Sequence, residues 1–393
     1  MEHGIFYNMV RVTVHPERIC ANWRLLDERG GNGCAVIKSD AYGHGIEVVG
    51  RALRAAGARN MAVGTVEEGA VLLDALAAPG EGGGGGADGA DAQDVRVISL
   101  LGPQCAEDHA EAVARSMVCF VGRDEQLKAL SAEGLRQGRP ALAAIKFDTG
   151  MSRLGYAPDE AARVAGVLDG LPGVRAVLAA SHLAVADEDG GEEFVRVQAE
   201  RFGAAVGALR AAGHPVEATL ANTAALLAYP WTRLDMQRPG IGLYGPNPLA
   251  GTDLARLGEG LLPAMDVRAP VLQVHDVRAG ETVSYGRTFR AERDMRVAVL
   301  GAGYADCYGR ALSGRAQVVV RGVRAPVLGR VCMQMCVADV SDAPGAAAGD
   351  DAWLLGGPDA AAVTPEELAG WWGTITYETF CLLGLNRREY AEA

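Results

Sequence analysis

The chain has 393 residues, close to half of them hydrophobic, and carries a formal charge of −12 at neutral pH. That length implies two domains, or a barrel with one partner domain. The acidic balance and the lack of any Lys/Arg run exclude the clustered cations that nucleic acid or an anionic membrane surface requires, so the expected partner is a small molecule.

The opening MEHGIFYNMVRVTV has no cationic start followed by an apolar stretch and cleavage site, and no apolar run approaches bilayer-spanning length. A cytoplasmic location with no membrane partner is expected. The eight cysteines (Cys20, Cys34, Cys105, Cys119, Cys307, Cys332, Cys336 and Cys381) are scattered. Reduced thiols are therefore expected rather than disulfides. Only Cys332 and Cys336 are close in sequence, and two ligands do not make a zinc site, so no metal is expected.

From about residue 34 to about residue 245, short apolar β-branched runs alternate with amphipathic stretches. The runs are CAVIKS (34–39), NMAVGT (60–65), VRVISLL (95–101), MVCFVG (117–122), ALAAIKFD (141–148), RAVLAASH (175–182), EATLAN (217–222) and RPGIGLYG (238–245). The segments between them predict helices: after the first run Ile46, Val49, Leu53 and Ala56 share one face at helical spacing. Eight such units predict a (β/α)8 barrel over 1–262, with a doubly wound sheet as the competing arrangement.

The Gly- and Asp-rich tract 78–94 lacks the GK[ST] ending of a phosphate loop and is expected to be a flexible loop. Beyond about residue 262 the pattern changes to short strands separated by turn residues, at 269–277, 297–303, 316–322, 325–333 and 352–357. Helices are expected at 364–372 and 377–384. A mostly β C-terminal domain over 263–393 follows. Gly301 and Gly303 do not open a dinucleotide fingerprint, because Asp306 takes the third glycine position and no βαβ unit follows.

In a barrel of this type chemistry collects at the C-terminal ends of the strands. The chain puts unusual polar residues there. Lys38 ends the first run, Lys146 and Asp148 the fifth, His182 the sixth and Asn222 the seventh, and Arg238 enters the eighth.

Around Lys38 the sequence reads AVIKSDAYGHG, which resembles the pyridoxal phosphate (PLP) lysine motif of alanine racemases. Further motifs similar to that family recur in family order: KFDTGMSRLG (146–155), SHLAVADE (181–188), ANT (221–223), RPGIGLYG (238–245), SYGRTF (284–289), GYAD (303–306), GRVCM (329–333) and TYE (376–378). Together they cover most of the chain.

The resemblance implies PLP-dependent interconversion of L- and D-alanine, supplying D-alanine for peptidoglycan. Lys38 would hold PLP covalently and, with Tyr285, form a pair of bases on opposite faces of the substrate carbon. A lysine amine acts as a nucleophile only when unprotonated, and a phenol needs a neighbouring cation to work near neutrality. The PLP phosphate would be held by Tyr42, Thr223, Tyr377 and backbone amides near Gly240 and Ile241, with Asn222 also in the cofactor site. Loop N–H groups and hydroxyls after the last strands of a barrel commonly bind phosphate.

Arg238 resembles the arginine that faces the PLP pyridine nitrogen, oriented by His182. A guanidinium does not give up a proton, which makes the ring a weaker electron sink than a carboxylate partner would. Arg153 and Met333 would bind substrate, with Arg153 beside Tyr285, and Lys146 would be carbamylated to an anion that steadies Arg153. The family resemblance further implies a head-to-tail homodimer in which Tyr285 and Met333 complete the opposite subunit's site. Tyr304 and Arg310 would line its entrance.

Several positions depart from the family pattern. Thr219 stands where a histidine is common, which predicts weaker support behind Arg238. Thr223 replaces a serine and keeps its hydroxyl, Cys307 replaces the glycine of GYADG, and Gln334 replaces an aspartate, which bears on substrate range. The alternatives are a serine or broader-specificity racemase of the same fold and, outside enzymes, a PLP-binding barrel protein without racemase activity. SYGRTF and GRVCM argue against the last, which lacks the second domain.

Overall fold

The structure, a computed structural model, describes residues 8–78 and 94–392. The expected loop at 78–94 lies almost wholly outside them. The chain opens with strand β1 (Arg11–Val14) and helix α1 (Pro16–Gly30). Beyond these it forms two compact units, one built from residues 19–41, 46–78 and 94–261, the other from 8–18, 42–45 and 262–392.

The first unit holds a seven-stranded parallel sheet in sequential order. Its strands are β2 (Cys34–Val36), β3 (Asn60–Val63), β4 (Arg96–Ser99), β5 (Val118–Val121), β6 (Ala141–Lys146), β7 (Val174–Ala180) and β8 (Glu217–Thr219). Every residue of β2, β3 and β5 is buried. That is the expected state of parallel strands covered on both faces, and it explains why they read as unbroken apolar runs.

Between them lie the short turn α2 (Lys38–Tyr42) and helices α3 (Ile46–Ala55), α4 (Val66–Ala77), α5 (Ala106–Ala114), α6 (Asp124–Gln137), α7 (Ala161–Asp169) and α8 (Glu192–Ala211). In α3 (Ile46–Ala55) the buried residues are Ile46, Val49, Gly50 and Leu53, one face at helical spacing. Helix α4 (Val66–Ala77) begins at a capping box, with Thr65 accepting from the Glu68 N–H and the Glu68 side chain reaching back. Helix α6 (Asp124–Gln137) stops at Gly138 in the left-handed conformation.

The eighth expected strand, 238–245, is not a ladder strand. Pro239 has no N–H to donate, and Ile241–Tyr244 turns into a 3-10 helix. Closure is achieved instead by residues 236–239, which overlap its first two positions. The N–H groups of Met236 and Arg238 donate to the carbonyls of Ala218 and Ala221, at 3.2 and 2.9 Å. On the other side the N–H groups of Cys34 and Val36 donate to Gln237 and Pro239, at 2.7 and 2.9 Å. This segment joins the two edges of the sheet and completes the (β/α)8 ring.

The second unit contains the remaining strands: β9 (Met265–Val277), β10 (Thr282–Val283), β11 (Phe289–Arg290), β12 (Met295–Leu300), β13 (Gln317–Val320), β14 (Val323–Leu328), β15 (Cys336–Asp339), β16 (Asp351–Leu355) and β17 (Arg387–Tyr390). Its main sheet has the order β12-β15-β14-β13-β16-β9-β1-β17 and is antiparallel except where β1 meets β17. Buried and half-exposed residues alternate along the first eight positions of β9, the pattern of a sheet with one covered face.

Residues 8–18 therefore belong to this unit and not to the barrel, where the division at 262 had placed them. Val12 pairs with Val267 of β9 and with Arg388 of β17. Residues 42–45 also join it. Helices α10 (Pro365–Trp372) and α11 (Thr376–Leu383) close the chain where two helices were expected. All eight cysteines are free thiols. Among the described residues no helix is long and apolar enough to cross a membrane.

Candidate active site

In the barrel unit, Lys38 follows β2 by one residue and is half-buried. Between it and the helix expected from Ile46 onward lies a tight turn of opposite hand. Ser39, Asp40 and Ala41 all have φ of 54–55° and ψ of 48–52°, and Tyr42 continues at φ 52°. A left-handed helical turn costs L-residues about 1–2 kcal/mol each, so neighbouring groups must hold it. One hold is the Ala41 N–H, which donates to the carbonyl of Ile37 at 2.9 Å. The right-handed helix α3 begins only at Ile46.

Arg238 is the buried cation of this unit. Its Nη1 donates to the Thr219 hydroxyl. Its Nη2 donates to the Ser181 carbonyl at 2.5 Å and lies 3.4 Å from both His182 Nδ1 and the Leu220 carbonyl. Thr219 thus supplies an acceptor behind the guanidinium, and the weaker support expected from the absent histidine is made up by a hydroxyl and a backbone carbonyl. Burial lowers the Arg238 guanidinium to about 10, opposed only by Cys34, so it remains a cation at neutral pH.

His182 is driven well below the usual imidazole range, first by burial and then by the charges of Arg238, Lys146, Arg153 and Lys38. It is a neutral ring near four basic side chains. Lys146, at the end of β6, is lowered to about 7, again by burial first and then by Arg238 and Arg153, with Asp148 acting in the opposite direction. Its Nζ lies 3.3 Å from the Phe147 carbonyl.

Asp148 organises the loop that carries Arg153. Its Oδ1 accepts from the N–H groups of Gly150 and Ser152 at 2.9 and 3.0 Å, and its Oδ2 accepts from the Arg153 N–H at 2.9 Å. Burial raises the Asp148 carboxyl, but these bonds and one from Met151 outweigh it and hold it below the ordinary value. The Arg153 side chain itself is exposed.

At the end of β8, Asn222 caps the short helix α9 (Thr223–Ala228), its Oδ1 accepting from Ala225 N–H at 3.0 Å. Thr223 is buried, and its Oγ1 accepts from the N–H groups of Gly240 and Gly242, at 2.9 and 3.4 Å. Both lone-pair positions are thereby used. The hydroxyl proton is left to donate, while the Gly240 N–H is taken up within the protein. Residues that the motifs did not single out also shape this site. Ser181 shares a 2.8 Å hydrogen bond with Thr149, and the buried Gln198 accepts from Ala184 N–H and donates to the His182 carbonyl. Thr149 and Ser181 lie inside two of the quoted motifs, which gave them no role, and the only sequence signal of Gln198 is a polar residue on the buried face of a helix.

In the second unit, the rings of Tyr42 and Tyr377 stand 5.9 Å apart. The Tyr42 hydroxyl is raised above its ordinary value, first by burial and then by Tyr377 and Cys381, and so stays a neutral donor. Gly43 makes the approach to α11 possible: a Cβ on it would lie 2.4 Å from the Phe380 carbonyl.

Elsewhere in the same unit three loops converge. Ser284 Oγ donates to the Arg330 carbonyl at 2.6 Å, and the N–H groups of Tyr304 and Ala305 donate to the carbonyls of Cys332 and Met333 at 3.0 and 2.8 Å. These bonds gather Tyr285, Met333 and Tyr304, which are 69%, 58% and 41% exposed. Gln334 is exposed beside them. Cys307, where the family motif has glycine, sits at φ 59°.

The comparisons with known proteins agree in both units. Residues 14–248 match the family model described as alanine racemase, N-terminal domain, and residues 264–390 the model described as alanine racemase, C-terminal domain. A curated relative named alanine racemase, from Nitratidesulfovibrio vulgaris (strain DSM 19637 / Miyazaki F), is 48% identical over 99% of this chain and 100% of its own. Among solved structures, alanine racemase from D-cycloserine-producing Streptomyces lavendulae superposes with a TM-score of 0.87 at 31% identity, covering 98% of each chain. That of Bartonella henselae, solved with covalently bound pyridoxal phosphate, superposes at 0.82 with 25% identity over 98% of this chain and 99% of its own.

Proposed function

The chain belongs to the alanine racemase family, and from that premise we infer that it is a PLP-dependent isomerase interconverting L- and D-alanine. The observation that carries this reading is that Lys38, Lys146 and His182 stand at or just beyond the C-terminal ends of β2, β6 and β7 in the barrel unit, with Arg238 Nη2 3.4 Å from His182 Nδ1. A racemase must take a proton from one face of the substrate carbon and return one to the other, and it must hold a carboxylate while doing so.

The donor set fits PLP. In the barrel unit Thr223 has a hydroxyl proton to give to a phosphate oxygen and Arg238 is a cation for the ring nitrogen; in the second unit Tyr42 and Tyr377 would add phenol hydroxyls. When bound, the cofactor supplies an electron sink that acidifies the substrate Cα–H. Lys38 Nζ holds and accepts the proton on one face. Tyr285 Oη serves the other, and Arg153 fixes the substrate carboxylate, with the Met333 backbone beside it.

Because Arg238 remains charged and His182 neutral, neither donates a proton to the cofactor ring. Charge developing on the substrate carbon is then quenched at that carbon, which favours racemisation over side reactions. With Lys146 lowered to about 7, a large share of it is unprotonated at neutral pH. The free amine can add to carbon dioxide, forming an N–C bond and releasing a proton, and the resulting anion would balance the cations around it.

The active molecule in this reading is a homodimer with shared sites. The exposed group Tyr285, Met333 and Tyr304 supports it, since apolar and aromatic side chains this open are typical of interfaces. A cytoplasmic location and a role in supplying D-alanine to peptidoglycan complete the proposal.

Borohydride reduction of the purified holoenzyme followed by peptide mapping tests it, together with assays on L-alanine, D-alanine and L-serine. The expected result is PLP fixed to the peptide containing Lys38, with alanine turned over in both directions. Label on any other lysine, or preference for serine, overturns it. Sedimentation of the native chain and of Met333→Arg tests the assembly, with a dimer expected for the first and a monomer for the second.

A further inference from the structure

The left-handed turn after Lys38 is held from outside by a carboxylate on a neighbouring helix. Glu68, in the first turn of α4, accepts from the Asp40 N–H through Oε1 at 3.2 Å. Through Oε2 it accepts from the N–H groups of Gly64 and Thr65, at 2.6 and 3.3 Å. A single side chain therefore ties the turn that follows β2 to the end of β3. The Asp40 carboxylate extends the tie, with Oδ1 accepting from the Ile46 N–H at 2.7 Å where α3 begins. Gly64 matters for the same reason: a Cβ there would fall 3.6 Å from the Lys38 Cβ and 2.9 Å from Glu68 Oε2.

We propose that Glu68 is a positioning residue for Lys38, clamping the left-handed turn so that the lysine leaves β2 in the direction its covalent and proton-transfer roles require. The proposal rests on the reading of Lys38 as the PLP lysine. A carboxylate is well suited to the task. It accepts in two directions at once, and bonds from N–H groups to a charged acceptor are stronger than neutral ones. An ordinary capping box needs only the return bond to the N-cap N–H, so the bond to Asp40 lies outside that motif.

The control is Thr65→Ala, which deletes the 3.1 Å bond from Glu68 N–H to the Thr65 hydroxyl and weakens the helix start, but leaves the carboxylate on the turn. In Glu68→Ala, amide exchange across residues 38–45 of the holoenzyme is expected to quicken about tenfold, and the affinity for PLP to fall about tenfold, the scale of one charged hydrogen bond. Turnover falls with little change in KM. Glu68→Gln keeps one acceptor oxygen and turns an NH2 toward the other donors, so it falls between. Thr65→Ala lowers the melting temperature without moving exchange in the turn or PLP affinity.

If Thr65→Ala reproduces the changes seen in Glu68→Ala, Glu68 is only a helix cap and the proposal fails. It fails equally if Glu68→Ala leaves exchange at 38–45 unaltered. Borohydride label away from Lys38 would instead overturn the reading of the lysine, a result separate from either exchange outcome.

Discussion

Arg238 Nη2 stands 3.4 Å from Nδ1 of His182. Arg238 has only donors, so Nδ1 must be the acceptor and the imidazole proton must sit on Nε2. Burial first, and this contact second, keep the ring neutral, because a second cation there would face both desolvation and repulsion.

The Thr219 hydroxyl completes the cage around this guanidinium. Thr219→Val keeps the shape and leaves a buried charged N–H without its acceptor, which is expected to cost about 1.5–3 kcal/mol. Thr219→Ser restores the bond and most of that loss. Urea unfolding of the two variants checks it, and equal midpoints for Val and Ser would show the hydroxyl to be dispensable.

Lys146 gives a pH signature whose sign can be worked out. Its amine falls from an ordinary 10.5 to about 7 in the folded chain, through burial first and the neighbouring arginines next. Between those pH values the unfolded chain binds a proton that the folded chain does not, so this group makes stability rise with pH across that window and weakens the fold most below it. In carbon-dioxide-free buffer, the native chain should gain stability relative to Lys146→Met as the pH is raised through this range. A constant difference would mean the amine is not depressed. Added carbon dioxide should increase the intact mass by one carboxyl group; mass analysis that finds only plain lysine removes the carbamate.

Most of this arrangement was legible in the chain because barrel strands are apolar and a lysine, a histidine and an asparagine at their ends stand out. The eighth strand was not, since RPGI looks like a strand by hydropathy while Pro239 has no N–H to give a ladder, and closure falls to residues 236–239 with Pro239 serving only as an acceptor. The place of β1 was hidden too. Its partners, Val267 and Arg388, lie hundreds of residues away, and four residues of alternating burial carry no sign of which sheet they join. The left-handed turn had no compositional signal either, because Ser39, Asp40 and Ala41 include no glycine to announce positive φ. By contrast, Cys307 at φ 59° shows why the family motif favours glycine at its position.

Gly155 predicts a sharper loss. It has φ 126°, a region only glycine enters easily, and a Cβ there would lie 2.7 Å from the Asp148 nitrogen and 2.8 Å from the Lys146 carbonyl oxygen. Gly155→Ala must distort the loop that Asp148 folds around Arg153, and the expected destabilisation is about 2–3 kcal/mol from strain alone. Substrate affinity should weaken with it. A variant that unfolds at the native urea midpoint would show that the loop can yield.

Tyr285 separates stability from chemistry. Its ring is 69% exposed, so Tyr285→Phe removes a hydroxyl from an open surface and should shift the isolated chain's stability by no more than about 0.5 kcal/mol. Racemisation, however, needs a proton carrier on each face, and loss of one general acid–base group lowers the rate by about 100-fold or more. Lys38 would still exchange the α-proton of the enantiomer whose hydrogen faces it. In deuterated water the variant should therefore wash deuterium into one enantiomer of alanine while interconverting the two very slowly. Deuterium entering both at near-native rates would mean that another group serves the second face, and the pairing of Lys38 with Tyr285 would have to be abandoned.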